Sequence, residues 1–495
     1  MPSDIFIKLS THINKNRPAY GLLYILLTSS LLLLLFYNHF YDDPFITYRY
    51  AHNLARGRGF VYNPGLRVQS MSTPLFGLIL AGIYPLWSDI PHMAVILGAV
   101  SLSLGALFLW VLAQNFGTPL VGWLGLFLYP SFPLLITTMG SEVPLYLVFC
   151  LGAFTFYSRK EYTLTAVFCA LAVLTRPDGV IIPAILGLHN LLIFKGPFQW
   201  KTALVFMGLT LPWFLFARAY YGTPIPATLF AKQQQGGMEI SQRFIPGLVT
   251  IFKPYFKHWD FWLQGILALF GIGYLIARTR QWLLFIVWPI TYFLAFTALG
   301  VSRYYWYYAP LVPGFIVLIG LGIKAIQKII AEDQNHSQNG NFNRRLLSRA
   351  VTVGITMALF IGSISGLLRI AKWNDPRHPI YKEVGEWINK NTPLNSSLGT
   401  LEVGIIGFYA DRLLIGFAGL IQPDVASQLN PRSTYEDSAL WAVEHYHPDY
   451  LVLQSGIFPR LERGYVNQYC SVVKSYSGAN YGYSNDIDIY SCINH

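Results

Sequence analysis

The sequence predicts a multi-pass α-helical membrane protein with a small α/β domain at its C-terminal end. Three observations lead there. Of its 495 residues 54% are hydrophobic and only 12% charged, whereas a soluble domain carries roughly 25% charged residues. Apolar stretches of spanning length recur from residue 19 to residue 370, and a crossing needs roughly 20 apolar residues. Beyond residue 370 the apolar runs shorten to strand length.

Eleven crossings are predicted, at 19–37, 91–113, 118–137, 143–158, 161–175, 179–195, 201–218, 260–277, 281–300, 308–328 and 349–369. The first follows a basic lead of Lys8, Lys15 and Arg17 and has no small-residue cleavage site. It is expected to be a retained signal anchor with the N-terminus in the cytoplasm. The loops on that side then hold Arg159 and Lys160, Lys195 and Lys201, Arg278 and Arg280, and a last group of Lys324, Lys328, Arg344, Arg345 and Arg349. Every inside loop except the one near 114–118 is basic, as the positive-inside rule demands. This placement explains the formal net charge of +11. No zinc pattern or basic helix repeat points to a nucleic-acid partner.

The apolar stretch "STPLFGLILAGIYPLW", 72–87, is short. If it crossed, the basic loops would face outward. It is therefore expected to be an interfacial helix inside a long first outer loop, 38–90, of a membrane domain covering 1–370. The polar tract 331–343 reads as a flexible linker. The segment 371–495 is expected outside the cytoplasm. Its runs "LGTLEVGIIGFY", "RLLIGFAGLI", "DYLVLQS", "YCSVVKSY" and "DIDIYSCI" read as strands, with helices near 378–390 and 434–446. Cys470 and Cys492 could bond there, whereas Cys150 and Cys169 lie in apolar runs and read as packing residues.

Two aspartates, Asp42 and Asp43, follow the first crossing directly. Before "PFITYRYAHNL" either one could be an N-cap, with Pro44 at the first helical position. A cap needs one carboxylate, so the second suggests a general base in a poorly solvated niche. Tyr48, Asn53 and Arg56 share a register on the following helix, which reads as an amphipathic helix lying on the surface. Glu142 starts a crossing, where it either complements the helix N-terminus or acts. Arg176 and Asp178 flank Pro177, as a local ion pair or with Arg176 turned to an anion. Lys232 and Arg303 are outer cations among aromatics and prolines, where snorkelling and ligand binding both fit. Acids and cations gathered at one membrane face suit transfer from a lipid-borne phosphate. A transporter more often places its charges at the bilayer midplane.

The stretch "DDPFITYRYAHNLARGRGFVYNPGLRVQSMSTPLFGLILA" closely resembles the first-loop motif of GT-C-fold, polyprenyl-phosphate-dependent glycosyltransferases, most closely the bacterial arabinofuranosyl- and mannosyltransferase-like group. "GSEVPLY", "LTRPDGV" and "YYGTPIPATLFAK" resemble later family motifs in order, and "EVGIIGFYADRLLIGFAGLIQPDV" resembles a strand segment of the family's outer domain. "VQSMSTPLF" departs from the usual V-x-G-x-T-x-P-L-W, and Ala227 stands where Asn is usual.

The resemblance implies a GT-C fold and an inverting sugar transfer, on the extracytoplasmic face of a bacterial-type plasma membrane. The donor would be a polyprenyl-phosphate-linked sugar and the acceptor a cell-envelope glycan, lipid or protein, with membrane lipids around the site. It assigns the base to Asp42 or Asp43, and sequence order favours Asp42. The donor phosphate falls to Arg49, Arg176, Lys232, Arg303 and Tyr304, with Glu142, Asp178 and Tyr48 in support. No cofactor is required; a divalent metal ion between Asp42, Asp43 and Glu142 is compatible with their hard oxygens. The competing functions are a lipid-linked sugar flippase or transporter and an inactive glycan-binding assembly partner.

Overall fold

The computed structural model of the protein describes residues 17–193, 195, 199–332, 338–373 and 375–493. Lys8, Lys15 and residues 333–337 of the expected linker lie outside the described residues. Each of the eleven predicted crossings holds a helix. Seven are long and apolar enough to cross a membrane: Pro18–Phe36, Ile90–Asn115, Trp200–Tyr221, Trp259–Arg278, Arg280–Leu299, Tyr305–Ala331 and Arg344–Ala371. Pro119–Leu128, Val143–Ser158, Tyr162–Thr175 and Pro177–Leu192 are shorter. The stretch expected as one crossing at 118–137 is two pieces, Pro119–Leu128 and Pro133–Ile136. Pro130 and Pro133 remove two N–H donors and break it.

Prolines set several starts. Pro44, Pro74, Pro119 and Pro133 each open a helix, where the missing N–H costs nothing. The helix in 72–87 is Pro74–Ile83, ten residues. That is about 15 Å long, half the roughly 30 Å of a hydrocarbon core. Small residues bring the long helices together. A Cβ on Gly271 would overlap the Leu318 carbonyl, and one on Gly322 the Leu267 carbonyl, so Trp259–Arg278 and Val312–Glu332 meet backbone to backbone.

The C-terminal segment contains the helices expected near 378–390 and 434–446, as Arg377–Asn391 and Tyr435–Tyr446. Its five strands are β1 Ser397–Thr400, β2 Leu413–Gly416, β3 Tyr450–Gln454, β4 Ser471–Tyr476 and β5 Ile487–Ser491. They form one sheet in the order β2-β1-β3-β5-β4. β1 runs parallel to β2 and β3; β5 runs antiparallel to β3 and β4. The second half of "LGTLEVGIIGFY" is a helix, Ile405–Ala410, rather than strand. Cys470 and Cys492 are joined by a disulfide where β4 begins and β5 ends.

Alternation along β3 decides how this sheet packs. Tyr450 and Val452 join the core shared with the membrane helices. Leu451 and Leu453 point the other way, onto Ala439, Ala442 and Val443 of the helix Tyr435–Tyr446. One sheet face therefore rests on the membrane body.

The helix Pro44–Ala55 lies at that junction. It does not lie on the surface as its polar register suggested: residues 44–51 and Asn53 are all buried. The helix Ile405–Ala410 covers it, which is why its polar side chains find protein partners instead of water. Arg49 is the clearest case. Its guanidinium donates to the carbonyls of Tyr62, Gly407 and Arg412 and to Asn63 Oδ1. Asn63 also pairs with both the N–H and the C=O of Leu414. The Tyr62 hydroxyl donates to the Val403 carbonyl, and Arg58 meets Asp411 at 2.8 Å. Arg49 is thus a clamp between the first loop and the C-terminal domain, not the phosphate ligand expected from the sequence.

Arg49→Met should remove the guanidinium from the Gly407 and Arg412 carbonyls, while the Tyr62 carbonyl keeps Asn53. Hydrogen bonds to charged groups contribute about 1.5–3 kcal/mol each, so a clear fall in melting temperature is expected, with earlier proteolytic release of the C-terminal domain. Alkylation of denatured, unreduced protein should count two thiols, those of Cys150 and Cys169, and four after reduction.

Candidate active site

Asp42 and Asp43 sit where the first helix has ended and Pro44 starts the next. Neither side chain caps that helix. Asp43 occupies the cap position but makes no side-chain cap bond, and the backbone carbonyls of Asp42 and Asp43 accept the N–H groups of Phe45 and Ile46 instead. The Asp42 carboxylate reaches across to the C-terminal domain. One oxygen accepts the Ile405 N–H at 2.7 Å and the other the Gly404 N–H at 3.1 Å. Asp42 therefore caps a helix more than 360 residues away in sequence. Glycine is needed at 404, because a Cβ there would overlap both the Asp42 carbonyl and its carboxylate.

Asp43 points elsewhere. Its carboxylate is about one-third exposed and lies 3.8 Å from Lys232 Nζ. Lys232 comes from the helix Ala227–Gly237 and does not snorkel outward: its ammonium lies 4.8, 5.6 and 5.5 Å from the ring centres of Tyr304, Trp306 and Tyr307. The Tyr304 hydroxyl donates to Gln235 Oε1 at 2.9 Å, fixing one wall of this aromatic box.

A second charged group faces Asp43 across the same space. Arg176 meets Glu142 at 2.8 Å and Asp178 at 3.0 Å, all three largely buried. The local Arg176–Asp178 pair is present, extended by Glu142. Gly140, at φ +89°, turns the chain into Glu142. The Tyr48 hydroxyl donates to the Gly140 carbonyl. Tyr48 is a buried brace for that turn rather than a ligand contact.

Two cavities meet at the aspartates. The first, about 450 Å³, is lined by Asp43, Glu142, Arg176, Asp178 and Lys232 on one side and by Trp213, Phe214, Ile225, Leu229, Phe296 and Leu299 on the other. The second, about 460 Å³, lies against the C-terminal domain and is lined by Asp42, Asp43, Arg303, Arg377, Glu402 and five aromatic residues. Asp43 is the only charged side chain common to both among the described residues. Glu402 and Arg377 were not anticipated from the sequence. The signal for Glu402 was available: it is the first residue of the segment "EVGIIGFY", an acid between apolar runs.

The side chains of Asp42, Asp43 and Glu142, with which a divalent ion was compatible, do not converge on one point. Asp42 is committed to two backbone N–H groups and Glu142 to Arg176. Among the described residues no three His, Cys, Asp or Glu side chains converge to hold a metal ion.

Burial raises the Asp42 carboxyl above the ordinary carboxylate range, against the lowering effect of the Ile405 N–H and Arg377. Burial and the Asp42 charge raise Glu402 further still.

A profile described as Domain of unknown function (DUF8728) matches residues 370–490. No curated protein sequence matches the chain. Among solved structures, ArnT from Cupriavidus metallidurans bound to undecaprenyl phosphate is similar at a TM-score of 0.60 and 16% identity, over 95% of this chain and 98% of that one. The archaeal oligosaccharyltransferase AglB from Archaeoglobus fulgidus, in complex with an inhibitory peptide and a dolichol-phosphate, is similar at a TM-score of 0.56 and 13% identity, over 95% and 74%. The chain has the fold of these proteins, the GT-C fold, over nearly its whole described length.

The raised carboxyls have a consequence for stability. Both groups keep a proton in the folded protein at a pH where the unfolded chain has released it. Their contribution therefore falls as pH rises from about 4, the ordinary carboxylate value, through neutrality. Melting temperature measured from pH 5 to pH 8 should contain this downward component, and Glu402→Gln should flatten it.

Proposed function

We propose that the protein transfers a sugar from a polyprenyl-phosphate donor to an acceptor hydroxyl, with inversion at the anomeric carbon. The observation that carries this reading is the position of Asp43, which lines both cavities and lies 3.8 Å from Lys232. The apolar walls and two cations of the first cavity suit a lipid phosphate. The polar, aromatic second cavity suits the acceptor. The GT-C fold agrees, since the ArnT and AglB structures hold undecaprenyl phosphate and a dolichol-phosphate.

In this reaction the acceptor hydroxyl loses its proton to Asp43. Its oxygen forms the new bond to the anomeric carbon as the bond from that carbon to the phosphate oxygen breaks. The polyprenyl phosphate leaves with the electron pair, and Lys232 balances its charge. Sequence order favoured Asp42 as the base. Geometry favours Asp43, because both Asp42 oxygens already hold backbone N–H groups. Arg176 is a weaker phosphate ligand than Lys232, since two carboxylates already neutralise it. Arg303 lines only the second cavity, on the acceptor side. The basic-loop pattern puts the N-terminus in the cytoplasm. With eleven crossings, the catalytic membrane domain is 1–370 and the segment 371–495 lies outside, where the Cys470–Cys492 bond is chemically at home.

Asp43→Asn should lower transfer by roughly 10²–10⁴, the scale of general-base loss, with little change in melting temperature. Lys232→Met should lower it by about 10²–10³. The assay is release of polyprenyl phosphate from a synthetic polyprenyl-phosphate sugar with cell-envelope extract as acceptor. Full turnover in Asp43→Asn, with a folded but inactive Asp42→Asn, would return the base to Asp42.

A further inference from the structure

The second cavity contains a carboxylate, Glu402, that has no hydrogen bond or ion pair among the described residues. Glu402 stands just before β1's successor helix, two residues ahead of the Gly404 N–H that Asp42 holds. It lines the cavity with Asp42 and Asp43, and its neighbours act on it through charge alone, without a hydrogen bond. The charges it does face are Asp42, Asp375 and Arg377. Arg377 is already engaged by Asp375, through bonds of 2.6–3.0 Å. Fold maintenance therefore leaves Glu402 unused. A buried acid kept open to a cavity is costly unless a ligand supplies hydrogen-bond donors.

The opposite wall is aromatic. Trp306 stacks on Tyr304 at 4.6 Å, and Tyr41 lies against Tyr305 and Trp306 at 5.4 and 5.7 Å. Tyr435 of the C-terminal domain also lines the space. At about 460 Å³ the cavity is in the range of small-ligand sites, roughly 300–1,000 Å³. Arg377 is already paired with Asp375, and Asp42 stands close enough to act on Glu402, so an anionic group placed at Glu402 would meet like charge. A ligand with an apolar face for the rings and a hydroxyl edge for the acid fits both walls.

We propose that Glu402 is an acceptor-binding residue supplied by the C-terminal domain, and that it accepts hydrogen bonds from hydroxyls of an uncharged sugar ring seated on the Tyr304–Trp306 wall. This rests on the sugar-transfer reading above and gives the domain of otherwise unassigned role a specific task. It holds the acceptor ring so that one further hydroxyl faces Asp43. Glu402 holds its proton while nothing donates to it; hydroxyl donors from a ligand favour its charged form, and the carboxylate then accepts charge-assisted bonds, about twice as strong as neutral ones, that an amide cannot match.

The test uses the full chain in lipid nanodiscs and saturation-transfer NMR with a panel of probes: the methyl glycosides of mannose, galactose, glucose and arabinofuranose, glucose 6-phosphate, and a serine-containing tripeptide. Undecaprenyl phosphate binding is measured in the same samples. At least one neutral glycoside should bind, and Glu402→Gln should weaken it by roughly tenfold or more, the loss of one charge-assisted bond. Trp306→Ala should weaken the same probe. Undecaprenyl phosphate should bind wild type and Glu402→Gln alike. Neutral glycosides that bind equally to both proteins, or that do not bind, would overturn the assignment. So would a preference for the phosphosugar or the peptide. Loss of undecaprenyl phosphate binding in wild type would instead remove the donor reading, and the two failures are read from separate signals.

Discussion

One carboxylate organises this molecule. Asp42 leaves the end of the first membrane helix and grips the N–H groups of Gly404 and Ile405 in the C-terminal domain. Unsatisfied helix-start donors are a natural anion site, and here the anion is supplied from the far end of the chain. Arg49, Tyr62 and Asn63 repeat the contact along the same seam, each on a backbone group of the other domain. These bonds are buried, so breaking them exposes partners that cannot turn to water. One cavity lies in the membrane body beside this seam, and the other lies along it, lined by residues of both domains.

The question of why two acids stand side by side then has a geometric answer. Successive residues in helical conformation are turned by about 100°, and Asp43 already has helical backbone angles. Neighbouring side chains must therefore point to different places. Asp42 points into the domain interface and Asp43 into the space between the cavities. One acid holds the second domain in place, and the other is free to take the proton in the proposed reaction. A single aspartate could not do both, since a base must release the bonds that a latch must keep.

Much of this was legible in the sequence, and the limits are instructive. The long apolar helices and the five strands follow from hydropathy, which acts locally. The Cys470–Cys492 bond followed from two strand-like segments in one domain. Arg49 was misjudged because an arginine beside an acidic motif looks the same whether it meets phosphate or carbonyls; only the position of Gly407 and Arg412 distinguishes them. The helix Pro44–Ala55 looked like a surface helix because its covering partner lies more than 350 residues away. Glu402 escaped for the same reason. Its chemistry depends on a cavity whose other walls include stretches as distant as 41–46 and 303–306.

The Asp43–Lys232 pair also explains how one site can serve both halves of the proposed reaction. Before transfer, Lys232 faces the Asp43 carboxylate and the single charge of the donor phosphodiester. As Asp43 takes the acceptor proton, the carboxylate charge disappears. The bond to the phosphate breaks in the same event, and the leaving oxygen gains the charge that the acid has lost. The total negative charge facing the ammonium is thus the same before and after, carboxylate plus phosphodiester giving way to the phosphate dianion, and only its location changes. Three aromatic rings around Lys232 hold it without competing for it as another carboxylate would. In a wall of low polarity such a shift is large in energy, because little water is present to blunt it. The Arg176 charge nearby is already taken up by Glu142 and Asp178 and does not enter that exchange. An additional fixed cation would hold the departing phosphate too firmly, and an additional free acid would hold Lys232 away from it.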